Sequence, residues 1–150
     1  GKPRIRSMNK PYTSTWSSGY GYGTHAGTAN ICYRRYQSLK NEHVDLANEY
    51  KKWILIAGEK YLNSHPDTSL LLKPNEFSDV IQLMLNCYEL TGENNYLQRA
   101  VFFANSGVDL FLNDYSPLPK ATNKHNHYES ITGGPSFMYQ LLQLHTALND

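Results

Sequence analysis

The sequence predicts an all-α fold built from antiparallel helical hairpins. Three observations carry that expectation. From Thr24 onward, apolar residues recur at helical spacing over most of the chain. Glycine, proline and asparagine interrupt the pattern at short intervals. The segments between interruptions alternate between two kinds, one apolar on most sides and one amphipathic, with a period of roughly 50 residues.

Residues 1–23 contain Pro3, Pro11, Gly19, Gly21 and Gly23 among serines and threonines, which is loop composition. They form an aromatic, glycine-rich segment ahead of a helical-hairpin domain over 24–150. The first helix is expected over 24–39, capped by Thr24 and carrying Ala26, Ala29, Cys32, Tyr33, Tyr36 and Leu39. The second, Asn41–Leu62, has a stripe of Val44, Ala47, Tyr50, Ile54, Ala57 and Tyr61. Leu46, Trp53 and Gly58 lie beside it, Trp53 reads as core, and charged residues lie off it. "NSHPD" ends this helix. The third is expected over 75–91, with Asn75 as its cap and Glu76 in a first turn that favours an acid. Its apolar residues cover nearly the whole circumference, as in a buried helix. Gly92 ends it and Asn94 caps the fourth helix, Asn94–Leu112. After a long loop over 113–134, Pro135 opens a fifth helix to about 148. His145 on that apolar helix reads as a core histidine.

Asn41 and Asn94 keep the same offset as Ala47 and Ala100, which marks the second and fourth helices as copies of an outer helix. The first, third and fifth are the inner, more buried set. Two and a half hairpins leave the last inner helix without an outer partner. The apolar flank at Leu141, Leu144 and Leu148 therefore predicts a partner domain or a homo-oligomer.

The hydrophobic fraction of 40% and charged fraction of 18% describe a globular chain. A net charge of +1 argues against a nucleic-acid partner. No apolar run is long enough to span a membrane. Two cysteines, Cys32 and Cys87, are too few for a disulfide framework and read as buried thiols. With 12 tyrosines the chain is rich in side chains suited to helix packing and to stacking on sugars.

Inner and outer helical hairpins with "ELTGENNYLQRA" at the turn resemble the (α/α) toroids of carbohydrate-active enzymes, which include six-hairpin glycosidases and polysaccharide lyases. The resemblance covers residues 24–150. It implies part of a toroid and a carbohydrate partner, with an extracellular or periplasmic location. Because a toroid closes with more hairpins than this chain supplies, it also implies a C-terminal portion of a larger enzyme, with a missing N-terminal domain, or a separate helical domain. No cofactor or metal is expected.

Alternating helix directions put the segments 1–23, 63–75 and 113–134 at one end of the bundle, which the resemblance implies is the substrate face. In "YGTHAGTAN", Tyr20 and Tyr22 are candidates to stack on a sugar with Trp16, and His25 sits at a helix mouth. The competing reading is a glycine-rich turn whose tyrosines pack on neighbouring helices. "NKHNHYES" gathers His125, His127, Tyr128 and Glu129 within five residues. A histidine and a tyrosine can act as base and acid in β-elimination of a uronate. A carboxylate such as Glu129 or Glu76 can instead be the acid of a hydrolase. A polar surface loop is the bland alternative, and "HNH" alone supplies too few ligands for zinc. Arg34 or Arg35 is a candidate to pair with a substrate carboxylate beneath the site.

The acids near that face are few: Glu76, Asp79, Asp114 and Glu129. This scarcity tilts the expectation toward a lyase over a glycoside hydrolase, acting on an acidic polysaccharide. The alternative is a non-catalytic helical module that binds sugar or a protein.

Overall fold

A computed structural model of the chain describes residues 15–16, 24–112 and 116–149. Among them are five α-helices: α1 His25–Leu39, α2 Val44–Leu62, α3 Pro74–Thr91, α4 Asn94–Phe111 and α5 Gly134–Asn149. A 3-10 turn, Ser130–Thr132, precedes α5. The fold is all-α, as the periodicity indicates. Helix α3 packs against α1 on one side and α5 on the other, while α2 and α4 pair behind it. The result is an inner layer, α1–α3–α5, and an outer layer, α2–α4. No helix of the described residues is long and apolar enough to cross a membrane.

Helix ends follow local chemistry. Thr24 caps α1 by accepting a hydrogen bond from the Gly27 N–H at 3.1 Å. Helix α2 starts at Val44 and not at Asn41, because Glu42 and His43 donate their N–H groups back to the Leu39 carbonyl and form a turn. Helix α3 starts one residue early. Pro74 takes the first position, where a missing N–H costs nothing, and the Glu76 carboxylate accepts from the Lys73 N–H at 2.9 Å. Glu76 is thus a buried cap and not a substrate ligand. Gly92 ends α3 in the left-handed conformation at φ 71°.

The expected burial of all three inner helices holds for α3 alone. Ten of its residues are buried, against four in α1 and four in α5. The cause is position, since α1 and α5 flank the layer and α3 is covered from both sides. On α5, Leu144 is buried and Leu141 half-buried, while Met138, Leu142 and Leu148 are exposed. His145 is exposed as well, beside Asn149.

The core centres on four rings. Trp16 lies within 6.1 Å of Tyr61, 5.3 Å of Phe77 and 5.8 Å of Phe103, centroid to centroid. Its indole N–H donates to Ser64 Oγ at 3.0 Å. Trp16 is therefore a core residue and not a sugar-stacking surface. The Tyr61 hydroxyl accepts from the Ala26 N–H at 3.1 Å and donates to the Thr15 carbonyl at 2.8 Å. Arg99 stacks on Phe102 and donates to the Tyr61 and Ser64 carbonyls, joining α4 to the end of α2.

The outer-helix repeat survives in packing: Ala47 and Ala100 are both buried. Trp53 corrects the expectation for α2, with 58% of its surface exposed. The buried edge of α2 is the row Ala47, Ile54, Gly58 and Tyr61, and Trp53 lies one step around from it. Val44 and Leu46 are exposed for the same reason. Gly58 is required where it stands, since an added Cβ would lie 2.5 Å from the Cys87 sulfur. Cys87 is buried, and burial pushes its thiol up to about 12, whereas Cys32 is only half-buried.

The two tryptophans should respond in opposite ways. Trp16→Ala removes a buried ring and is expected to cost about 3–5 kcal/mol in urea unfolding. Trp53→Ala should cost less than about 1 kcal/mol.

Candidate functional site

The inner layer carries polar residues at helical spacing on a face that the outer layer does not cover. On α1 these are Asn30, Arg34 and Gln37; on α3, Asp79, Gln82, Asn86 and Glu89; on α5, Ser136, Gln140 and Gln143. Hydrogen bonds tie the α1 and α3 rows together. Asn30 Nδ2 donates to the Asp79 carbonyl at 2.9 Å, and Asn86 Nδ2 donates to Asn30 Oδ1 at 3.1 Å. Gln37 Nε2 donates to Glu89 Oε1 at 3.3 Å.

Between α3 and α5 the rows part into a cleft with two halves. One half, about 460 Å³, is lined by Asn75, Ser78, Asp79, Gln82, Ser136 and Tyr139 among others. The second, about 500 Å³, is lined by Gln82, Asn86, Glu89, Tyr139, Gln140 and Gln143 among others. Gln82, Tyr139 and Gln140 belong to both halves, so they are continuous. The N-terminal parts of both helices meet in the first half and the C-terminal parts in the second. Helices α3 and α5 therefore run in the same direction.

Asp79 is the titratable group at the head of this cleft. Burial raises its carboxyl to about 6, against the opposing pull of the Arg34 charge. The Asp79 Oδ2 atom lies 3.0 Å from where a Cβ on Gly27 would stand. The second glycine of "YGTHAGTAN" thus lets a carboxylate seat against the first turn of α1. The close approach comes from the protein's own side chain.

The chain matches no family model, no curated protein and no solved structure. The site is accordingly read from its own geometry.

The residues singled out in the sequence separate into several places. His25 is the first residue of α1 and lines an apolar groove between α1 and α2 with Cys32, Trp53, Ile56 and Lys60. Burial, then the Lys60 charge, lowers its pKa. His125, His127, Tyr128 and Glu129 form an exposed loop cluster ahead of α5. His127 Nε2 meets Glu129 Oε1 at 2.6 Å, and Thr122 Oγ1 meets His125 Nδ1 at 2.8 Å. The rings of His125 and His127 are 6.0 Å apart. The two groups share one end of the bundle, as alternating directions require. They sit on the two flanks of α3, and neither lines the α3–α5 cleft. Arg34 and Arg35 are both exposed, so neither lies beneath a site, although the Arg34 charge reaches Asp79. Tyr20 and Tyr22 lie outside the described residues.

Of the cleft residues, Asp79 stood out in the sequence as one of few acids, but Gln82, Asn86, Tyr139, Gln140 and Gln143 did not. The signal was present. Positions 79, 82, 86 and 89 form a polar row along a helix that is otherwise mostly apolar.

The raised carboxyl of Asp79 sets a pH signature. In the folded chain the group stays protonated up to about pH 6, whereas in the unfolded chain it ionises nearer its ordinary value of 3.8. Its stabilising contribution is complete below that ordinary value and is lost as pH rises through about 6. Asp79→Asn should therefore match the wild type at pH ~4 and exceed it at pH ~8 by roughly 2–3 kcal/mol in chemical unfolding.

Proposed function

We propose that this chain is a carbohydrate-active protein, with a glycan lying along the α3–α5 cleft and Asp79 as its proton donor. The observation that carries the reading is a half-buried carboxyl, raised to about 6, at the head of a cleft lined by side-chain amides and an exposed tyrosine. Amides both donate and accept, which suits hydroxyl groups in either role. Tyr139 is 56% exposed and offers a flat face for a pyranose ring. An acid with a pKa near neutrality gives up its proton readily at the oxygen of a leaving sugar. The reading favours hydrolysis over β-elimination, because the histidines suited to elimination stand outside the cleft.

One distance favours a second reading, a glycan-binding module without turnover. The other carboxylate of the cleft, Glu89, lies ten residues along the same helix, or about 15 Å by helical rise. Paired carboxylates in glycoside hydrolases stand roughly 5–9.5 Å apart. The cleft's own two acids do not form such a pair.

The test is incubation with a panel of soluble polysaccharides, scoring new reducing ends and, separately, the ultraviolet absorbance of an unsaturated uronate. Release of reducing ends that falls about 100-fold or more in Asp79→Asn, with binding retained, is the expected result. Binding without release selects the module. Unsaturated product that survives Asp79→Asn and disappears in His127→Ala would restore the lyase expectation.

A further inference from the structure

The charge of the cleft separates one class of saccharide from another. Resting on the reading of the α3–α5 cleft as a glycan site, we infer that it takes a saccharide without carboxylates, with an amine-bearing sugar favoured at the Glu89 end. This departs from the acidic polysaccharide expected from the sequence.

The argument is electrostatic. Among the described residues lining the two halves of the cleft, the charged side chains are Asp79 and Glu89, and no lysine, arginine or histidine is present. The Arg34 charge, on α1, acts on Asp79. Glu89 is exposed, and its hydrogen-bond donors from α1, the Gln37 amide and the Tyr33 hydroxyl, are both neutral. Helices α3 and α5 run in the same direction, so the half of the cleft that holds Glu89 also lies toward both C-terminal ends. Each such end carries a partial negative charge. A uronate there meets three negative sources, and an ammonium group meets the same three as attraction.

The opposite end needs weighing, because helix N-termini attract anions. At α3 the cap is occupied, since Glu76 already holds the Lys73 N–H. At α5 the second residue is Pro135, which has no N–H to offer. The dipole that remains fades within one turn. It does not reach the Glu89 half, where Gln82, Asn86, Gln140 and Gln143 supply neutral donors and acceptors to hydroxyls.

Calorimetric titration of the whole chain tests this, using matched-length oligomers of a neutral glucan, chitosan and polygalacturonate. The neutral oligomer should bind about fivefold or more tightly than the uronate, and chitosan more tightly than the neutral one, at low salt. Glu89→Gln should cut the chitosan advantage over the neutral oligomer. Tyr139→Ala should weaken every ligand. A uronate that binds as well as the neutral oligomer overturns the inference while leaving the glycan site standing. Failure of all three oligomers to bind removes the site, and the inference with it.

Discussion

The hydroxyl of Tyr61 holds together parts of the chain that nothing else joins so directly. It takes the Ala26 N–H at the start of α1 and gives its own proton to the Thr15 carbonyl, while its ring packs edge-on against Trp16 and Phe103. One side chain at the end of α2 thereby fixes the N-terminus of α1 and seats Trp16 in the core. A buried hydroxyl with both roles filled gives up little on leaving water, whereas one with a missing partner would cost about 1–3 kcal/mol. The position of α1 against α3, and so the seat of Asp79, follows from that arrangement.

The helices were legible because burial writes a period into the sequence. Four starts fell within a residue of expectation; Thr24 and Pro135 act through local backbone chemistry that needs no tertiary context, whereas at α3 Pro74, and not the expected cap Asn75, opens the helix. Trp16 was not legible. It lies among serines, threonines and glycines, and its burial depends on rings from α2, α3 and α4 that no local pattern brings together. Trp53 failed in the opposite sense, because a large apolar residue beside a stripe looks like part of it. The loop cluster at His125–Glu129 was legible as a cluster, since its members are adjacent in sequence. The cleft was not, because its residues are shared between two helices about 60 positions apart in sequence, and each polar row alone resembles a solvated face.

Asp79 is an expensive residue to keep. Its carboxylate loses hydration at the α1–α3 seam, and the pull of Arg34 does not restore an ordinary pKa. An asparagine would fill nearly the same space without that penalty. Buried acids with raised pKa values cluster at functional sites, though structural positions carry them too. Gly27 fits the same account, since a side chain there would press on Asp79 Oδ2.

Gly133 gives the cleft a mechanical character. It adopts φ 86°, and a Cβ added to it would fall 2.4 Å from that of Asn75, so the entry to α5 is pressed against the first turn of α3. Farther along α5, Leu144 is buried in the core and holds the helix at a second point. The width of the cleft is thus set at two points of α5, its entry against α3 beside Asp79 and the Leu144 seat toward Glu89.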